Sequence, residues 1–259
     1  MTKTISYLIL LVLYSLIEIS CVSTQRATYF NNAKDTTIYK AADLAEAFIQ
    51  KKDILSISIT SLNPEASSIF NTTNNFVISN TTASGTSAQS SGYLVDINGD
   101  IQLPILGNIK AAGVTKKQLK DNITQLILEK KLLVDPIVNI RHLNYEVTVI
   151  GEVGHPTVIT VPNEKISLIK ALGLAGDITI YGKKDNVLLI RETDAKKDIR
   201  YINLNSKDFL NSPYYHLMPN DIVYVEPNKN KVASVGRGTQ LLPVFFSVLS
   251  LLTILVTRL

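Results

Sequence analysis

Apolar residues in this chain fall into two patterns. Residues 5–17 and 241–257 are almost continuously apolar, whereas between them apolar positions recur at strand or helix spacing. In DILSISITS, Ile57 and Ile59 alternate with Ser56, Ser58 and Thr60, the period of a half-buried strand. Residues 43–50, DLAEAFIQ, predict a short helix with Asp43 near its start. Residues 71–92 contain 14 Ser, Thr or Asn in 22 positions and predict a long exposed loop or a disordered insert. In YLVDINGDIQLP, Asn98-Gly99 between two apolar runs predicts a two-residue hairpin. Thr115 caps a predicted helix through about Lys131, in which Leu119, Ile123, Leu126 and Ile127 fall at helical spacing. Asp135-Pro136 ends that element and IVNIRHL reads as a strand. Together these elements predict a compact α+β domain over 38–143.

A second unit is predicted over 144–228. YEVTVIGEV and TVITVP are strands around a turn at Gly154-His155-Pro156, and SLIKALGLAG is a short helix ended near Gly173 and Gly176. NVLLIRE and IRYINL are strands around a charged turn, and LMPNDIVYVEP is a turn at Pro219-Asn220-Asp221 followed by a strand. The expected shape is a small, strand-rich, barrel-like unit with one helix.

The ends change the picture from a soluble to an envelope protein. Residues 1–20 read as a secretory signal, with Lys3 ahead of the apolar run. Cys21 is the only cysteine in the chain, so no intramolecular disulfide can form. Following a signal and the small Ser20, it resembles the lipid-modified cysteine of bacterial lipoproteins, with a polar tether over 21–37. Glu18 departs from the aliphatic residue usual three positions before such a cysteine. An uncleaved anchor, or an ordinary cleavage site with an incidental thiol, is the alternative. Residues 241–257 carry no charge and span roughly 25 Å as a helix, the short limit for crossing a bilayer. On a helical wheel Ser247, Ser250, Thr253 and Thr257 fall within about 120°, interrupted by Phe246 and Ile254. This stripe fits a ring of helices meeting through small hydroxyl residues that partly line a pore. It fits equally a plain anchor or partner-contact helix whose hydroxyls bond back to their own backbone.

Composition excludes several functions. A formal charge of +4, from 26 basic and 22 acidic residues with no basic tract, gives no nucleic-acid footprint. His142, His155 and His216 are widely spaced and lack companion ligands, so no metal site or other cofactor is expected. Gly99 and Gly107 lack the Lys-Ser/Thr of a phosphate loop and read as turn or close-packing glycines. Asp96 and Asp100 flank a turn, where Asp is common for local reasons, and with Asp121 they make no convincing glycosidase pair. Tyr181, Tyr214 and Tyr215 suit packing or stacking on sugar rings. The chain is therefore read as a non-enzyme.

Three stretches, KKDILSISITSLNPE, GYLVDINGDIQLPILGNIKAAGVTKKQLKDNI and VDPIVNIR, resemble the polysaccharide export domain of Wza-like outer-membrane polysaccharide export proteins. VIGEVGHPTVIT, ISLIKALGLAGDIT and YHLMPNDIVYVEP resemble the soluble-ligand-binding β-grasp (SLBB) domain that follows it in that family. The chain departs in having one β-grasp unit, the 71–92 insert, Pro156-Thr157 for a Pro-Gly turn and Lys52-Asp53 for Gly-Asp. The resemblance implies an oligomeric, ring-shaped periplasmic and outer-membrane conduit for capsular or extracellular polysaccharide. Its implied partners are membrane lipid, an inner-membrane chain-length regulator or tyrosine kinase, and an outer-membrane β-barrel. The alternative is a periplasmic scaffold that docks a separate β-barrel or regulator. The expected site is an outer-membrane lipoprotein facing the periplasm, its C-terminal helix in the outer membrane unless the inner membrane captures it during export.

Overall fold

A computed structural model describes residues 28–31, 33–35, 46–71, 77–81, 87–193, 196–235, 243–248, 250, 251 and 254. Its fold is mixed α/β, built around two separate apolar cores.

The first unit begins at β1 (Ile54–Thr60), whose even-spaced Leu55, Ile57 and Ile59 are buried as the alternation requires. A short helix α1 (Pro64–Ser68) follows, its first amides capped by the Asn63 side chain. A 3₁₀ turn (Ile69–Asn71) then buries Phe70. Next come β2 (Val77–Thr81), β3 (Ser87–Ser91), β4 (Tyr93–Leu94), β5 (Asp100–Leu103) and β6 (Gly107–Lys110). Helix α2 (Lys116–Glu129) opens with a full capping box: the Thr115 hydroxyl accepts from Gln118 N, and the Gln118 side chain accepts from Thr115 N. Its Leu119, Ile123 and Ile127 are fully buried, each contributing about 1.5–3 kcal/mol of apolar burial. Strand β7 (Ile137–His142) closes the unit by pairing antiparallel with β1 from Leu55–His142 to Thr60–Ile137. The sheet order is β4-β1-β7, and β5-β6 is a separate hairpin.

Three expectations need correction here. Residues 71–92 are not structureless: β2 pairs with β3 from Val77–Ser91 to Thr81–Ser87. Strand pairing is made by backbone groups, so a lack of apolar side chains does not prevent it. The helix expected at 43–50 is absent over 46–50, where Phe48 makes an isolated bridge with Thr115; residues 43–45 lie outside the described residues. Ile49 instead donates to Val114 O and accepts from Gly113 N, which fixes it as a strand-like contact under the core. The reversal at Asn98-Gly99 does form, but β4 and β5 do not pair across it. β4 pairs with β1 and β5 with β6, because the turn hands the chain to a new hairpin whose tip is Pro104–Leu106.

The second unit starts with β8 (Glu146–Gly151) and β9 (Thr157–Thr160), an antiparallel pair as expected. β10 (Ile166–Ser167) leads into α3 (Leu168–Leu174), capped by the Ser167 hydroxyl. β11 (Gly182–Thr193) and β12 (Lys196–Ile202) form the expected hairpin. After a 3₁₀ turn (Lys207–Asn211) come β13 (His216–Leu217), paired with β10, then β14 (Ile222–Pro227) and helix α4 (Lys229–Val235). The main sheet runs β12-β11-β14-β8-β9, with β14 parallel to β8. Among the described residues no strand pairs beyond β9 or β12, so the sheet is open there and not the barrel-like closure expected. Val147, Val149, Val187, Leu189, Val223 and Val225 face the core with Leu168 and Leu172 of α3. Gly151 sits at φ +96°, and a Cβ there would lie 2.1 Å from Val225 O, so only glycine lets β8 meet β14 at this point.

Candidate functional site

Three places gather chemistry or attachment. The first is the turn before β14. Asp221 is fully buried, and its carboxylate accepts from Arg191 Nε (2.9 Å), Arg191 Nη2 (2.7 Å) and Met218 N (2.8 Å). Asn220 takes φ +64°, a conformation Asn tolerates better than most residues. Burial alone would lower the pKa of Arg191, but the bonded carboxylate of Asp221 outweighs it and holds the guanidinium above its ordinary value. The guanidinium carbons of Arg191 and Arg200 lie 5.5 and 5.6 Å from the centroid of the Tyr214 ring. The Tyr214 hydroxyl accepts from Arg200 Nε (2.8 Å) and donates to Asp198 (3.0 Å). Tyr215 packs on Phe209 and edge-on against His216, and the Tyr181 ring carries the Lys231 ammonium at 5.3 Å. All three tyrosines are thus engaged in packing within the protein.

The second place is the junction between the units. His142 and Asp53 are both buried, with Nε2 and Oδ2 3.2 Å apart, and Asp53 also accepts from Gln50 N at 2.8 Å. His142 meets Tyr145 edge-on at 6.4 Å, and its Nδ1 has no hydrogen-bond partner among the described residues. The Glu164 carboxylate accepts from His142 N (2.6 Å) and pairs with the Lys116 ammonium. The Tyr145 hydroxyl donates to Leu217 O at 2.7 Å, and burial first, then the charge of Asp221, pushes its pKa up to about 12.

The third place is where the chain's ends leave the second unit. Phe30 N donates to Leu204 O (3.1 Å) and Asn31 N to Asn205 O (2.7 Å). The Tyr29 hydroxyl bonds Asp177, and its ring lies under Lys184 Nζ. Burial, then the bond to Asp177, raises the Tyr29 pKa. The described part of the expected tether therefore lies along the second unit. At the other end, the Asn228 side chain caps α4 by accepting from Lys231 N (3.0 Å), and Lys231 pairs with Glu152 at 3.3 Å.

Of the residues singled out in the sequence, Cys21, Thr253 and Thr257 lie outside the described residues. Ser247 and Ser250 are helical and exposed, and the Ser247 hydroxyl donates to Val244 O (2.8 Å), back to its own helix. Val244, Phe245, Phe246, Val248, Leu251 and Ile254 are also exposed. Among the described residues no helix is long and apolar enough to cross a membrane. Asp96 builds its turn by accepting from Asn98 N and Asp100 N, both at 2.8 Å. The Asp100 amide first, opposed by partial burial, holds its carboxyl below the ordinary range. Gly99, at φ +86° with the Ala112 methyl 2.7 Å from where a Cβ would sit, is a close-packing turn glycine. Among the described residues no three His, Cys, Asp or Glu are grouped to hold a metal ion.

Sequence reasoning missed Arg191, Asp53, Lys116 and Glu164. Arg191 left a trace: at even spacing from Val187 and Leu189, it is a charge on the inward face of its strand, which calls for a buried counter-ion.

Residues 41–143 match the family described as polysaccharide biosynthesis/export protein, over nearly the whole first unit. Two curated relatives match as well, both named EPS I polysaccharide export outer membrane protein EpsA. The one from Ralstonia solanacearum is 31% identical over 159 residues, which is 59% of this chain and 41% of the relative. The one from Ralstonia nicotianae is 38% identical over 105 residues, 39% of this chain and 27% of the relative. The first alignment is longer than the family segment, so it extends beyond the export domain. The matched part covers less than half the length of either relative.

Proposed function

We propose that this chain is a non-enzymatic envelope component of polysaccharide export, acting as an oligomeric conduit for capsular or extracellular polysaccharide. The observation that carries this is the family match over 41–143, coinciding with a unit that has its own core. The mechanism is geometric. Repeated copies enclose a lumen too wide to hold any one sugar tightly, and energy comes from polymer synthesis and an inner-membrane chain-length regulator or tyrosine kinase.

Residues 144–228 act as a β-grasp, SLBB-like unit. The mixed five-stranded sheet, with a parallel pair inside it and α3 against its core, supports that reading. Cys21 carries the lipid after removal of 1–20, and 241–257 form a second membrane attachment, in the outer membrane. In support, residues 28–31 and α4 both attach to the second unit, so both ends leave from the same body. The apolar side chains exposed on several sides of residues 243–254 also call for lipid or a protein partner. The hydroxyl stripe Ser247, Ser250, Thr253 and Thr257 lies at helix contacts. The Ser247 back-bond is equally what a plain anchor or partner-contact helix makes, and the alternative function is a periplasmic scaffold that docks a separate β-barrel or regulator.

The test is a chromosomal deletion complemented by the full chain, by the chain lacking 241–259 or by Cys21→Ser. The full chain restores surface polysaccharide and the truncation does not, while purified protein leaves the polymer's length unchanged. Surface polysaccharide persisting in the deletion strain would contradict the proposal.

A further inference from the structure

We infer that Glu164 is a latch that sets the angle between the two units. The covalent crossing is a single short step. Leu143 N donates to Ile54 O (2.8 Å), and the Asn144 side chain accepts from Ile54 N (2.9 Å) and donates to Lys52 O (3.3 Å), so the chain is held to the export domain through residue 144. At the next residue it belongs to the second unit, where Val161 N donates to Tyr145 O (2.8 Å) and the Tyr145 hydroxyl bonds Leu217 O. Two folded bodies joined by one peptide would pivot about the dihedrals beside it unless something crosses back.

The described polar side-chain contacts that cross back converge on Glu164. One carboxylate oxygen accepts the His142 amide, at the very end of β7, and the other pairs with Lys116 in the first turn of α2. Two elements of the export domain are thus held by one group of the second unit, both ionic partners being largely shielded from solvent. Glu164 also sits at φ +51°, an uncommon conformation for a residue with a Cβ. Its described carboxylate contacts lie in the other unit, so the strained backbone is retained for a group that serves the junction. The latch follows from these contacts whatever the cargo.

Its consequence lies at the far end of the export domain. β1 and β7 run from the junction to a tip where Leu62 and Val134 are 91% and 93% exposed, joined by Leu62 N donating to Asp135. That arm is roughly 20 Å long, so a 20° change at the junction moves the tip by roughly 7 Å. In any assembly of repeated copies, the latch keeps these apolar tips at one common position.

The test uses the full chain in detergent with Cys21→Ser, which removes its only cysteine, and nitroxide labels at Lys130 and Lys196, one exposed site per unit. Pulsed electron spin resonance should give one narrow distance distribution. Glu164→Gly should widen it at least twofold while the second unit melts no lower, because glycine accepts the φ that glutamate strains. Lys116→Met, a change in the other unit, should widen it to a lesser degree, since the His142 amide keeps its acceptor. A glycine variant with an unchanged width would overturn the latch. A glycine variant that fails to fold would overturn it too, by showing that Glu164 serves its own unit, and Lys116→Met would then remain as the separate check on the junction.

Discussion

Asp221→Ala should be among the most damaging single substitutions in the second unit. The carboxylate is fully buried and accepts three hydrogen bonds, two from Arg191, whose side chain is 12% exposed. Removing it leaves a guanidinium shielded from water with no counter-charge, for which about 3–5 kcal/mol is the usual cost. For a unit of this size each kcal/mol lowers the melting temperature by about 4–8 °C, so a fall of roughly 15–30 °C is expected. Arg191→Met alone should also be costly, because it strands the carboxylate with the Met218 amide as its one remaining described partner. The double variant should cost clearly less than the sum of the two, since neither orphan charge remains. Urea unfolding of the four proteins followed by circular dichroism measures the cycle. A loss under about 1 kcal/mol for Asp221→Ala, the value of an exposed pair, would refute the reasoning, as would strict additivity.

Tyr145 predicts an alkaline limit. Its folded pKa of about 12 lies above the ordinary 10, so the fold favours the protonated phenol, and that stability is complete below pH 10 and lost as pH rises from there toward 12. Tyr145→Phe should flatten part of this slope in melts from pH 8 to 12 and cost about 1 kcal/mol at neutral pH through the lost bond to Leu217 O; an unchanged slope would count against it. Replacing 72–91 with a short Gly-Ser link should leave the melting temperature within a few degrees, provided Asn71 and Gly92 stay. The Asn71 side chain brackets Ile59 by accepting from its amide (2.9 Å) and donating to its carbonyl (2.7 Å), and a Cβ at Gly92 would meet Leu143 at 2.6 Å. A large drop in that deletion would show that the β2-β3 hairpin supports the core.

Regular local patterns carried well from sequence to structure. Thr115 announced α2, whose buried Leu119, Ile123 and Ile127 are three of the four positions the periodicity picked out, the fourth, Leu126, being half-buried. Gly154-His155-Pro156 and Asp135-Pro136 marked real boundaries, since glycine and proline act on the backbone next to them. Partner choice was not legible. Asn98-Gly99 predicted a reversal correctly, but the strand that pairs with β4 is β1, whose Leu55 meets Tyr93 across 38 positions of chain. The parallel contact of β14 with β8 is likewise fixed by packing far along the chain. The junction was invisible for the same reason: Asp53 and His142, or Lys116 and Glu164, are brought together by the fold, and nothing in either neighbourhood names the other. Arg191 lay between these cases, visible as a misplaced charge but without its partner.

The conduit claim is tested most directly by the oligomeric state of the full chain, extracted from membranes in mild detergent and imaged by negative-stain electron microscopy. Closed rings with a central, stain-filled lumen are predicted, with rotationally averaged images of one uniform diameter. A population of monomers or compact dimers with no lumen, from membranes that still export polysaccharide, would contradict the conduit and leave the scaffold beside a separate β-barrel.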